Sequence, residues 1–148
     1  PLIEVCLCWI FSTCRYISDD HHIILKGASG NGKTYIACAL GIAACRNFIK
    51  VRYVRLPDLL NELAVAHGDG TLKKVIKAYQ KIDLLILDEP FNGLDQSGIE
   101  EIHQLFEELR KKEKTILLAS HSAADISRAC DCVFEIEDGI LQERSRKS

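Results

Sequence analysis

One eight-residue stretch, Gly27-Ala28-Ser29-Gly30-Asn31-Gly32-Lys33-Thr34, constrains this chain more than any other part of it. It satisfies G-x-x-x-x-G-K-[ST] at every fixed position. Its setting is the one such a loop needs. His21 to Lys26 is a short apolar run that reads as a buried strand, and Lys33 to Arg46 reads as a buried helix of small and apolar residues. A strand that runs through glycines into a helix turns backbone N–H groups around an anion, and the helix adds the positive end of its dipole. The expected ligand is ATP with Mg2+. Residues Gly27, Ala28, Ser29, Gly30, Asn31 and Gly32 then wrap the phosphates. Lys33 reaches the β and γ phosphates, and the Thr34 hydroxyl holds the metal.

A second motif supplies what the loop lacks. Leu84-Leu85-Ile86-Leu87 is an unbroken aliphatic run, as expected of a central parallel strand, and it ends in Asp88-Glu89. A carboxylate at the tip of such a strand suits magnesium, which assigns Asp88 to the metal beside Thr34. Glu89 is left to orient and polarise the attacking water. Thr115 to Ser120 reads as a further buried strand, lying between the loop strand and the aspartate strand in ATPases of this layout. His121 follows it and faces the γ-phosphate as a candidate sensor.

The remaining text alternates strands and helices, which implies an α/β fold: a three-layer P-loop NTPase with a mainly parallel central sheet. Val51 to Leu56 reads as a half-exposed edge strand, and Pro57 opens a helix to about Ala66. His67-Gly68-Asp69-Gly70 reads as a loop, with Thr71 capping a helix through Gln80. Gln96 to Lys112 is amphipathic, with Ile99, Ile102, Leu105, Phe106 and Leu109 inward. A short helix over Ala123 to Ala129 precedes strands at Cys132 to Ile136 and Ile140 to Glu143, joined by an Asp138-Gly139 turn, and Arg144 to Ser148 reads as a solvated tail.

The chain is expected to form one ATPase domain over residues 1–148, with residues 1–20 as an apolar leading segment. Leu2 to Ile17 carries Glu4 and Arg15 and falls short of the roughly 20 apolar residues of a membrane-crossing helix, so no transmembrane segment is expected. A start at Pro1 and the absence of methionine suggest a fragment. A net charge of −2 argues against coating nucleic acid by bulk electrostatics, though local basic faces remain. Basic residues cluster at Lys50, Arg52 and Arg55, and again at Lys73, Lys74, Lys77 and Lys81 on one helix, whose lysine face is either a candidate for DNA phosphates or a solvated helix face. Cys38 and Cys45 read as small core residues. The Cys6/Cys8 and Cys130/Cys132 pairs lack zinc-site spacing, and reduced thiols fit a cytoplasmic ATPase.

From about His21 to Glu89 the chain resembles the IstB/DnaC-like helper ATPases, through the loop, "TYIACALGIAACRN" and "VRYVRLPDLLNELAVAHGDGT". That resemblance implies an ATPase assisting a DNA-acting partner such as a transposase. From about Leu84 to Arg144 the text is instead similar to the end of an ABC-type ATPase, through "ILDEPFNGLD", "TILLASHSAADI" and "CDCVFEIEDGIL". This second resemblance implies roles for Asp88, Glu89, Asp95 and His121. The stretch between Lys33 and Asp88 is too short for the ABC helical subdomain, and the L-S-G-G-Q signature is absent. After Glu89 there is no helper-family sensor asparagine, arginine finger or lid. A recombined gene, joined where the two families share the L-D-E strand, accounts for both likenesses. Three readings follow: a helper ATPase, a transport-linked ABC-type subunit, and a nucleotide-binding remnant without useful turnover.

Overall fold

The computed structural model describes residues 22–27, 32–88, 96–120, 132–137 and 140–146. In chain order the elements are β1 (Ile23–Gly27), α1 (Lys33–Arg46), β2 (Val51–Arg55), α2 (Leu56–Asp69), α3 (Leu72–Gln80), β3 (Leu84–Asp88), α4 (Gln96–Lys111), β4 (Thr115–Ser120), β5 (Cys132–Glu137) and β6 (Ile140–Arg146). The strands form one sheet in the order β2-β3-β4-β1-β5-β6. All neighbours are parallel except β5 and β6, which pair antiparallel with an irregularity between Val133 and Phe134. The chain therefore leaves β1 for the far edge, steps back through β3 and β4, and passes β1 to reach β5. β4 lies between the loop strand and the aspartate strand, as expected.

Alternation along the strands divides the core into two layers. Ile23, Leu25, Leu84, Ile86, Leu117 and Ala119 point to one face, where Ala37, Leu40 and Ala44 of α1 cover them. Val54, Leu85, Leu87, Ile116 and Leu118 point to the other, under Leu59 and Leu63 of α2, Tyr79 of α3 and Ile102, Leu105, Phe106 and Leu109 of α4. β3 is buried along its whole length, which is why its sequence is continuously apolar rather than alternating. α1 approaches β3 closely at Gly41, where an added Cβ would come within 2.9 Å of the Ile86 side chain.

Four expectations need correction. Cys38 and Cys45 are exposed rather than core residues. The buried stripe of α1 is Ala37, Leu40, Gly41 and Ala44, and each cysteine sits one residue, about 100°, off it. His67, Gly68 and Asp69 belong to α2, because the stop falls at Gly70, whose φ of 72° supplies the left-handed C-terminal turn. Thr71 stands at the N-cap of α3 but makes no side-chain cap bond. Its φ of −102° and ψ of 14° lie outside the extended region from which a hydroxyl reaches back to the first turn. Finally, β6 continues to Arg146, since β5 offers backbone partners to that point, so Arg144 to Arg146 belong to the sheet rather than to a tail. Ala123 to Ala129, Asp138-Gly139 and residues 1–20 lie outside the described residues.

Asp83 fastens the edge of the sheet where β2, β3 and β4 begin. Its Oδ2 accepts the Lys50 N–H at 3.1 Å, and its Oδ1 pairs with Lys114 Nζ at 3.1 Å. Its own N–H donates to the Lys50 carbonyl at 2.8 Å, and its carbonyl accepts the Thr115 N–H at 3.1 Å. Partial burial pushes the Asp83 carboxyl up, but the Lys50 N–H and the Lys114 ammonium outweigh it and hold the group below its ordinary value. A depressed folded value stabilises the protein above the unfolded carboxyl value of about 3.9, and that contribution fades as pH falls through the folded one. The side chain is 40% exposed, so solvent screening keeps the effect small. Asp83→Asn should cost about 0.5–1 kcal/mol at pH 7, with the gap to wild type narrowing below about pH 4. Denaturant titrations at the two pH values measure it, and an equal gap at both would show that charge is not the cause.

Candidate nucleotide site

The parallel arrangement brings the carboxyl ends of β1, β3 and β4 to one edge of the sheet. Leu25 and Asp88 both stand level with Ala119 of the intervening β4. Gly27 ends β1, and Gly32 precedes the first residue of α1 with a φ of 82°, a conformation that glycine adopts without a Cβ penalty. The Gly32 carbonyl accepts the Ile36 N–H at 3.0 Å, which starts the helix.

Lys33, the first residue of α1, is half-buried and folds back so that Nζ donates to the Gly27 carbonyl at 2.6 Å. Burial pulls its pKa down, while the charge of Asp88 pushes the other way. An ammonium so placed gains from an incoming anion at the same edge.

Thr34, one residue on, donates its hydroxyl to Oδ2 of Asp88 at 2.9 Å. Asp88 is only 8% exposed, at the end of the aliphatic strand. This bond joins the start of α1 to the tip of β3 across 54 residues of sequence. A hydroxyl and a carboxylate oxygen are hard donors of the class that suits Mg2+, so Thr34 and Asp88 are the pair that could hold that ion. Gly27, Gly32 and Lys33 could meet phosphate oxygens.

Gly27, Gly32, Lys33, Thr34 and Asp88 are thus brought together. Ala28, Ser29, Gly30, Asn31, Glu89, Asp95 and His121 lie outside the described residues. One residue that sequence reading passed over also belongs here. Tyr53 of β2 donates its hydroxyl to the same Oδ2 of Asp88. Partial burial and then that bond push its phenol pKa up, so it stays protonated and a donor at neutral pH. The alternating text of β2 shows a strand, and only the register with β3 shows which residue reaches the aspartate.

The two candidate basic faces fare differently. The Arg52 guanidinium lies 4.5 Å from the centre of the Tyr79 ring and 3.5 Å from the Glu62 carboxylate, which binds it into the packing of β2 against α2 and α3. Tyr79 in turn donates to Glu62 at 2.7 Å. Lys73, Lys74, Lys77 and Lys81 are all exposed, and α3 carries no acidic residue.

A family model described as IstB-like ATP binding protein matches residues 8–131. The chain belongs to this IstB-like ATP-binding family. The match runs well past Glu89, into the part whose text is similar to ABC-type ATPases. Among curated relatives, a Pseudomonas fluorescens protein named as an insertion sequence IS1162 ATP-binding protein is 36% identical over 103 residues, covering 69% of this chain and 45% of that one. An uncharacterized ABC transporter ATP-binding protein of Bacillus subtilis, YcbN, is 50% identical over 64 residues, covering 43% of this chain and 21% of its own length. This IstB-like chain therefore spans less than half the length of either relative. The crystal structure of the DnaC helicase loader superposes with a TM-score of 0.68 at 20% identity, covering 84% of this chain and 74% of that one. At that identity the likeness is one of fold, and it shows the P-loop NTPase architecture. Among the described residues no helix is long and apolar enough to cross a membrane.

Proposed function

We propose that this IstB-like chain is one ATPase domain that binds Mg-ATP at the edge formed by Gly27 to Thr34 and Asp88, and hydrolyses the β–γ phosphoanhydride in the service of a DNA-acting partner such as a transposase. The observation that carries the reading is the Thr34–Asp88 hydrogen bond. It sets a hydroxyl and a carboxylate against each other at the mouth of the phosphate loop, beside a lysine. Magnesium, held there by Thr34 and Asp88, would neutralise charge on the phosphates. Lys33 binds and orients the terminal phosphates through charge-assisted hydrogen bonds. Glu89, next in sequence to Asp88, accepts the proton of the attacking water. His121, which follows β4, contacts the γ-phosphate as a sensor. The DNA partner is supported by the insertion-sequence relative and by the lysine face of α3. A cytoplasmic setting, where ATP is plentiful, accords with this chemistry.

A second reading, a transport-linked ABC-type subunit, is favoured by the 50% identity to YcbN. The short stretch between Lys33 and Asp88 and the missing signature weigh against it. ATPase rates measured with and without duplex DNA separate the readings. Stimulation by DNA supports the helper role, equal rates with and without DNA remove it, and ATP binding without turnover leaves a nucleotide-holding domain.

A further inference from the structure

The Asp88 carboxylate receives a hydroxyl from each side, one from the phosphate loop and one from the neighbouring strand. We propose that Tyr53 is a positioning residue for the magnesium site: its phenol O–H, donated to Oδ2 of Asp88, holds that carboxylate turned toward Thr34. The proposal rests on the Mg-ATP reading above and extends it to a residue outside both motifs.

The geometry follows from strand register. Tyr53 pairs with Ile86, and Arg55 with Asp88, in the parallel ladder between β2 and β3. Side chains two residues apart on a strand share a face, so Tyr53, Ile86 and Asp88 all point to the α1 side of the sheet. A tyrosine is long enough to reach one ladder step further, and its hydroxyl meets Asp88 rather than its direct partner. Thr34 Oγ1 arrives at the same oxygen from α1 at 2.9 Å.

A single hydroxyl donor would not fix an aspartate. The terminal torsion of a carboxylate is broad, and a threonine hydroxyl turns to suit its partner. Two donors converging on one oxygen from different elements remove that freedom and set which oxygen faces outward. Groups one step out from a metal ligand act in this way, orienting the ligand without touching the ion.

Packing does not account for the phenol. Tyr53 is 42% exposed on an edge strand, and its ring forms part of the wall of an apolar cavity of about 560 Å3 with Ile42, Val51 and Ile86. A phenylalanine would line that wall equally well. What the hydroxyl adds is its bond to Asp88.

The test uses the full chain and its Tyr53→Phe variant, with a fluorescent ATP analogue as the probe. Nucleotide binding is followed first in EDTA and then during a Mg2+ titration at fixed nucleotide. Tyr53→Phe should raise the half-saturating Mg2+ concentration about tenfold, the size usual for loss of a group that orients a metal ligand. Affinity in EDTA should stay at the wild-type value, while the thermal midpoint falls by no more than the loss of one hydrogen bond. A phenol with a merely structural role would leave the Mg2+ requirement unchanged. In an Asp88→Asn background the same change should add less than about twofold, because the partner is already altered. A wild-type Mg2+ requirement in folded Tyr53→Phe overturns the proposal, as does an undiminished effect in the Asp88→Asn background. If wild type binds no nucleotide with or without Mg2+, the Mg-ATP reading itself falls and takes this proposal with it.

Discussion

Replacing Lys33 by alanine should weaken Mg-ATP binding at least about tenfold, roughly 1.4 kcal/mol, while leaving the fold in place. Lys33 is the sole side-chain cation in the phosphate loop sequence. Its ammonium is held at the mouth of the loop by the Gly27 carbonyl at 2.6 Å. Burial pulls its pKa down, while the charge of Asp88 pushes the other way. Its contribution to binding comes from phosphate oxygens arriving to pair with it. Stability of the nucleotide-free variant should change by no more than about 0.5 kcal/mol, the range of substitutions away from the core. Isothermal titration with Mg-ATP reads the affinity, and a thermal melt without nucleotide reads the fold. Unchanged affinity in a folded Lys33→Ala variant would remove the site from this edge of the sheet.

Glu89→Gln should leave nucleotide affinity nearly intact and slow hydrolysis on the order of 10²-fold or more, the size of a lost general-base contribution. The motive is the division of labour at the end of β3. Asp88 is engaged by Thr34 and Tyr53, and in the proposed function it would hold the metal. The adjacent carboxylate is left to take a proton from water. Glutamine keeps the shape of the side chain and removes its charge, so binding and chemistry separate. A single-turnover assay at saturating enzyme reports the chemical step without interference from product release. Wild type that hydrolyses ATP, matched within about threefold by Glu89→Gln, moves the water-activating role elsewhere, with His121 next in line. Wild type without turnover above background favours a domain that holds nucleotide only.

Where a residue's fate is set by its immediate neighbours along the chain, it was legible in the sequence. α1 begins at Lys33 and ends at Arg46 as its composition predicts, and the aliphatic run before Asp88 is the central strand that continuous apolarity implies. The inward residues Ile102, Leu105, Phe106 and Leu109 of α4 follow from helical period alone. That Gly27, Gly32, Lys33, Thr34 and Asp88 meet at one edge of the sheet follows from loop and strand end being local patterns. Small residues were harder. In a helix of alanines, cysteines and glycine, hydrophobicity barely varies around the axis, so the sequence does not say that Ala37 and Ala44 face the sheet while Cys38 and Cys45 face out. Arg52 looked like a solvated cation, but a ring from α3 and a carboxylate from α2 hold its still partly exposed side chain. Tyr53 needed the pairing of β2 with β3, which no local pattern contains.

The strand order also dictates when this protein can acquire structure during its synthesis. β1, which delivers the chain to the phosphate loop, has β4 and β5 as its two neighbours, and neither β2 nor β3 touches it in the ladder. His22, just before β1, waits for the Ile116 N–H, 94 residues downstream. A nascent chain that has emerged only as far as Asp88 can pair β2 with β3, but it holds β1 with no strand on either side. Closing loops of that length must precede any gain from the contacts, which slows folding and makes it a late, concerted event. The residues up to Asp88 thus cannot complete the sheet by themselves. β4 and β5, both after Asp88, furnish the two flanking strands. A truncation that spares the phosphate loop and the magnesium aspartate but ends before Thr115 should yield an insoluble or protease-sensitive product rather than a minimal nucleotide-binding unit.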